Sequence, residues 1–333
     1  MLKDVEQVVS YLHEKRWISP DAHPLVQPLT GGVSSLVWKI ESGDERWVLK
    51  QALEKLNVAV EWVSDQERIT HEQRVMQAVC QFVPPFSVPR VLFSDETRHI
   101  YVMECAPETA LTWKQRLLGG ELDMPTARNA GAWLRVFHEG SAGMSVERRR
   151  GLDGFRYFEQ LRLDPFHRYV MEKYPALRTT IQSLIEQLKQ PICMVHGDFS
   201  PKNILVDGNA NVIVLDFEVA HWGNPVFDAA FCLTHLILKA LIFGPFERYD
   251  HLIGQFMAGY GELPAGICAH IGLLLLARVD GKSPADYIRT EPQRQRIRQI
   301  AMRWIATAED AGKSGEGGNV LRLLRQEKAR TNG

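Results

Sequence analysis

HGDFSPKNILVDGNANVIVLDFE, His196 to Glu218, sets a histidine-glycine-aspartate triplet, an asparagine and an aspartate-x-glutamate within one short stretch. Asp198 lies five residues before Asn203, and Asp216 lies thirteen after it. The apolar runs Ile204 to Val206 and Val212 to Leu215 flank Asp207-Gly208-Asn209-Ala210-Asn211, a turn-rich segment that predicts a short β-hairpin. Such a hairpin brings Asn203, just before its first strand, close to Asp216, just after its second. Two oxygen ligands from separate points of the chain can then hold Mg²⁺ against the phosphates of a nucleotide. Asp198, in the preceding loop, is left to orient a substrate hydroxyl and accept its proton.

This spacing matches the catalytic loop and metal-binding aspartate of the protein-kinase signature, with HGD in place of HRD and DFE in place of DFG. HGD followed by asparagine five residues on resembles the aminoglycoside phosphotransferase and choline kinase group of small-molecule kinases. The resemblance spans roughly residues 25 to 280 and is strongest at 196 to 228. It implies an α+β, bilobal, protein-kinase-like fold, with an N-terminal antiparallel sheet plus helix and a larger, mainly helical C-terminal lobe. The expected division is a nucleotide-binding lobe over residues 1–104 and a catalytic and substrate lobe over 105–333.

Toward the N-terminus, PLTGGVSSLVWKI places Gly31, Gly32, Ser34 and Ser35 at a turn between apolar runs. Glycines let backbone N–H groups approach phosphate oxygens, and the two serines offer hydroxyl donors. Lys50, at the end of the run WVLK, falls where the resemblance places a phosphate-gripping lysine. That lysine needs an anionic partner, and a helix predicted from Asp65 to Phe82 offers Glu72, at the position of the family's C-helix glutamate, with Glu67 as the fallback. IYVMEC, Ile100 to Cys105, is a β-branched and aromatic run, and the resemblance implies that it forms the hinge, with the backbone of Glu104 and Ala106 bonding adenine.

The rest reads as helical: Thr126 to Glu139, Tyr169 to Lys189 after a proline-containing turn, and three or more helices beyond Phe227. His138 and His196 read as structural histidines, His196 bracing the loop that bears Asp198. Asp228 opens an apolar helix, where its carboxylate can cap backbone N–H groups, and the resemblance implies that it braces the catalytic loop from beneath. Glu218 replaces the DFG glycine and joins Asn203 and Asp216 as a candidate metal ligand.

Composition sets the outer limits. At 333 residues with 45% hydrophobic and 24% charged content the chain is long enough for two lobes, each with its own core. Lys plus Arg number 39 against 40 Asp plus Glu, a balance that offers no field for nucleic acid. Five scattered cysteines without CxxC argue against disulfides or zinc and fit a reducing cytoplasm. The N-terminus lacks the apolar core of a signal peptide, and the apolar stretches 229–246 and 267–279 read as buried helices rather than membrane spans. The tail from Ala311 to Gly333, rich in Gly, Lys and Arg, reads as loosely ordered.

The expected reaction is transfer of the γ-phosphate of ATP, with Mg²⁺, to a hydroxyl of a sugar, amino sugar or amino alcohol, with no nucleic-acid or membrane partner. A non-catalytic pseudokinase scaffold is disfavoured because Lys50, Asp198, Asn203 and Asp216 are all present. A protein kinase is disfavoured because Ser200 stands where those enzymes carry a lysine, and the chain reaches Asp228 only ten residues after Glu218. VLKQALEKLNVAVEW and DFE also resemble methylthioribose kinases, from which the chain departs at Asn203, where those have serine, and at Ala269-His270, where an arginine pair is expected.

Overall fold

The computed structural model describes residues 1–29, 34–55, 64–308 and 320–332. Its first part is an antiparallel sheet of five strands in the order β1 (Leu25–Pro28), β2 (Ser35–Ser42), β3 (Glu45–Ala52), β5 (Ile100–Glu104), β4 (Val91–Asp95). Alternation along β3 and β5 divides the side chains between the sheet's two faces. Trp47, Leu49, Ile100 and Val102 go to one core, and Val48, Tyr101 and Met103 to another. Lys50 shares the parity of Val48 and pairs with Tyr101, so it projects on the second face. The strand runs two residues beyond Lys50, which therefore sits inside it rather than at its end.

The first core lies under α1 (Val5–Glu14), a helix capped by Asp4 and packed through Val8, Tyr11 and Leu12. Its signal was legible: Val5, Val8, Val9 and Leu12 recur at helical spacing after a capping aspartate. The second core holds α2 (Arg68–Val79) and continues through Trp113 and Trp133 into the helical lobe. The expectation of one core per lobe is thus corrected: the sheet is covered on both faces, and its inner layer shares a core with the helices below.

After β5 come β6 (Leu111–Thr112), α3 (Trp113–Leu118) and α4 (Met124–Ala142), then the short helices α5 (Val146–Arg149) and α6 (Phe155–Phe158). A π-helical segment, Glu159–Arg168, follows and contains Pro165, which has no N–H to close an i→i−4 bond. α7 (Tyr169–Lys173) stops before Pro175, and α8 (Arg178–Leu188) resumes beyond it. The single helix expected over Tyr169 to Lys189 is therefore broken, with Tyr174, which precedes the proline, out of the helical conformation at φ −124°, ψ 72°.

β7 (Cys193–Val195) pairs with β10 (His221–Gly223), and the hairpin of β8 (Ile204–Val206) and β9 (Val212–Val214) lies between them in sequence. The apolar helices α9 (Val226–Phe243), α10 (Phe246–Tyr260) and α11 (Ile267–Asp280) build the lobe's interior, with α12 (Glu291–Ala306) packed on α11. α9 is long and apolar enough to cross a membrane, yet 78% of it is buried inside the protein. The expectation of a loose tail is corrected over its last part. α13 (Val320–Asn332) is helical, because Val320 and Leu324, one turn apart, bury completely while Arg325 binds Asp250 and Arg303 binds Glu327.

Candidate active site

Lys50 reaches from β3 to both oxygens of Glu72 on α2, each at 2.8 Å, and to Asp216 Oδ1 at 2.5 Å. One ammonium thus ties sheet, helix and the loop after β9 together. Burial alone would lower the Lys50 pKa, but the Asp216 and Glu72 carboxylates outweigh it and hold the value well above the ordinary one. At Asp216 burial works upward, yet Lys50 and Lys202 hold the carboxyl well below its usual range. Glu67, the fallback partner, is exposed and binds Arg156 instead.

Asp216 adopts φ +72°, a left-handed conformation that a non-glycine residue takes at some cost and that turns its carboxylate toward Lys50. The hairpin fixes the register here, since Leu215 N–H donates to the Asn203 carbonyl at 2.9 Å. Asn203 Nδ2 in turn donates to Asp198 Oδ2 at 2.6 Å and to the Asp198 carbonyl at 3.1 Å.

The loop bearing Asp198 is held from several sides. Asp228 accepts from the N–H of His196 at 2.6 Å and of Gly197 at 2.8 Å, and His138 Nε2 lies 3.1 Å away. These bonds to a charged acceptor, roughly 1.5–3 kcal/mol each, agree with the bracing role that the resemblance implied for Asp228, whereas the expectation that it caps its own helix is corrected. Its oxygens serve the catalytic loop, and Pro225 is the helix N-cap. The Asp198 N–H donates to His196 Nδ1, which assigns the ring proton to Nε2 and its bond to the Leu215 carbonyl at 3.0 Å. Gly197 has φ +77°, and a Cβ there would lie 2.8 Å from Val219 Cγ2, so the glycine of HGD is required by both conformation and space.

Two arginines escaped the sequence reading. Arg162, on the π-helical segment, sets Nη2 2.7 Å from Asp198 Oδ2 and donates from Nε to the Gly197 carbonyl at 2.9 Å. Arg68 is fully buried and donates to Glu218 Oε2 at 3.0 Å and to the carbonyls of Ser34, Leu53, Ser64 and Asp65. Its position four residues before Glu72, on the same helical face, was the available signal. Glu218 is buried against Arg68 rather than facing solvent.

Ser34 and Ser35 are both buried; the Ser34 carbonyl is taken by Arg68, and the Ser35 hydroxyl has no partner among the described residues. Gly31 and Gly32 lie outside the described residues. Glu104 ends β5 with its N–H bonded to the Arg90 carbonyl, and the Ala106 N–H makes no backbone bond among the described residues. A cavity of about 850 Å³ is bounded by Pro84–Pro89, Glu104–Pro107 and α4 and is lined by none of Lys50, Glu72, Asp198, Asn203, Asp216 and Glu218. The catalytic candidates line a smaller one of about 180 Å³ that includes Ser34, Asp198, Asp216, Glu218, Lys239 and Arg278.

Asn203, Asp216 and Glu218 suit a hard divalent cation. Each has one side-chain oxygen with no hydrogen-bond partner among the described residues, two of the three are carboxylates, and oxygen ligands are what Mg²⁺ prefers.

The geometry gives Lys50 and Glu72 a shared role that a double-mutant cycle can read. Lys50→Ala is expected to weaken nucleotide binding and slow turnover, and Glu72→Ala to cause a smaller loss of the same kind, because Asp216 still holds the lysine. The double variant should be little worse than Lys50→Ala alone. Fully additive losses in ADP formation would show that the two act independently.

Comparison with known proteins places the whole arrangement in context. The model of the phosphotransferase enzyme family matches residues 25–270. Among curated proteins, none matches the sequence. The amicoumacin kinase hAmiN, solved with AMP-PNP, Ca²⁺ and amicoumacin, superposes with a TM-score of 0.54 at 14% identity, covering 98% of this chain and 97% of that one. A macrolide 2′-phosphotransferase from Brachybacterium faecium gives 0.53 at 14% identity, covering 96% and 98%. At this identity the likeness is one of fold.

Proposed function

The chain belongs to the phosphotransferase enzyme family, and on that footing we propose that it transfers the γ-phosphoryl group of ATP to a hydroxyl of a small molecule. The balanced reaction is ATP + R–OH giving ADP + R–O–phosphate + H⁺. The observation that carries this reading is the convergence of Lys50, Glu72 and Asp216 beside the Asp198–Asn203 pair. The fold likeness to a kinase solved with an ATP analogue supports it.

In this reading Lys50 binds the α- and β-phosphates, steered by Glu72. Asn203, Asp216 and Glu218 would hold Mg²⁺, whose charge neutralises the phosphate oxygens when bound. Asp198 orients the acceptor hydroxyl, and Arg162 and Asn203 fix its carboxylate for that task. Because the transition state is loose, alignment and charge neutralisation supply most of the acceleration. Asp198 takes the proton late and returns it to solvent. Ser34, Ser35, Gly31 and Gly32 would cover the phosphates, and the backbone of Glu104 and Ala106 would meet adenine.

A screen for ADP release against aminoglycosides, methylthioribose, pentoses, choline, ethanolamine and homoserine tests the reading. Acceptor-dependent ADP formation is the expected result, and a protein that binds ATP but releases no ADP with any alcohol would be a scaffold instead.

A further inference from the structure

Beside Asp198, the 180 Å³ cavity is walled by α9, α11 and the π-helical segment. Phe231, His235 and Lys239 recur every fourth residue of α9 and present one face to it, joined by Arg278 and Tyr287, with Lys114 and Lys202 also in the lining. Lys239 is 1% exposed, yet among the described residues its ammonium has a single hydrogen-bond acceptor, the His235 carbonyl at 3.2 Å, and it lies 5.2 Å from the centre of the Tyr287 ring. Arg278 donates to the Ser283 carbonyl at 2.5 Å and the Ser283 hydroxyl at 3.3 Å. Its Nε and the Tyr287 hydroxyl are buried with no partner among the described residues.

The carboxylates of this cavity are already committed. Asp198 is taken by Arg162, Asp216 by Lys50 and Glu218 by Arg68, while Asp286 is exposed and 3.4 Å from Lys114. Lys239 and Arg278 are therefore left uncompensated. A buried ammonium without a carboxylate destabilises the fold, and a wall that keeps one beside an unfilled guanidinium donor and a free phenol is built to receive negative charge. His235 does not add to the positive charge: burial, then Arg278, Lys239, Lys114 and Lys202, hold its pKa well below the ordinary value.

Resting on the phosphotransferase reading, we propose that the acceptor alcohol carries an oxyanion, a carboxylate or a phosphoryl group, that seats between Lys239 and Arg278 while its hydroxyl meets Asp198. The site then disfavours polycationic amino sugars, which would meet two unneutralised cations.

Proton linkage follows from the same geometry. Burial, then Lys114 and Arg278, push the Lys239 pKa down to about 7 against opposing pulls from Cys232 and Asp286, with His235 neutral and Tyr287 protonated beside it. An anion bound there raises the value again. Binding therefore takes up a proton above pH 7, and the KM for an anionic acceptor rises with pH in that range.

The test uses the whole protein and four probes: gluconate and ribose 5-phosphate as anionic alcohols, ribose as a neutral one and kanamycin as a cationic one. Calorimetric binding and MgATP-dependent ADP formation are measured for the parent, Lys239→Met and Arg278→Lys. At least one anionic probe is expected to bind, and Lys239→Met to weaken it by about 10-fold or more while the melting temperature rises by roughly 2 °C as a buried unpaired charge is removed. Preference for the carboxylate or the phosphate identifies which oxyanion the seat takes. Binding of kanamycin or ribose alone, binding of no probe, or anion binding indifferent to both substitutions would overturn the seat. Lys239-dependent anion binding without ADP formation from any alcohol would instead overturn the transfer reaction and leave the seat standing.

Discussion

Asp216→Ala is expected to abolish Mg²⁺-dependent ADP formation while the protein still melts cooperatively near the parent temperature. Its carboxylate is one of two anionic candidates for the metal, and Glu218, the other, is engaged with Arg68. It is also the anchor that draws Lys50 across from β3. On the proposed reading, removing it costs the metal site an anion and loosens the phosphate grip together. The fold should survive because the surrounding lobe is held by apolar burial, including Phe199, Phe217 and Phe227, all nearly inaccessible. Alanine keeps a Cβ, so the substitution does not relieve the left-handed backbone at position 216, which the surrounding structure holds in place. The check is ADP formation and thermal melting on one preparation. An active Asp216→Ala protein would remove the metal assignment.

Asp198→Asn should bind ATP about as well as the parent and lose kcat by roughly 10²- to 10⁴-fold, the usual size of a general-base contribution. The amide keeps the shape but cannot take the proton, and its NH₂ group would oppose Arg162 Nη2, which now lies 2.7 Å from the carboxylate. A raised KM for the acceptor with unchanged kcat would mean that this residue only binds substrate.

Much of the candidate site could be read from the chain because it is local. Asn203 and Asp216 are joined by a hairpin whose strands, turn and register follow from neighbouring residues. Lys50 and Glu72 required the family resemblance as well, since nothing in the spacing of a strand lysine and a helix glutamate selects Glu72 over Glu67. The proposed acceptor side was not legible, because Arg162, Lys239 and Arg278 come from three helical elements far apart in sequence and meet only when these pack. Lys239 in particular sits in an apolar run and reads as an interruption of it. Arg162 depends on a π-helical turn that propensity does not anticipate. The tail misled for a different reason: its charge density masked the buried pair Val320 and Leu324, whose pairing with α10 needs the tertiary structure.

The central claim is transfer to an alcohol, and ³¹P NMR of MgATP with the protein and an alcohol that stimulates ADP release tests it most directly. The account predicts a phosphomonoester resonance growing in one-to-one proportion with ADP, absent from the Asp216→Ala sample. Inorganic phosphate accumulating in place of the ester, or an ester formed equally well by Asp216→Ala, would contradict it.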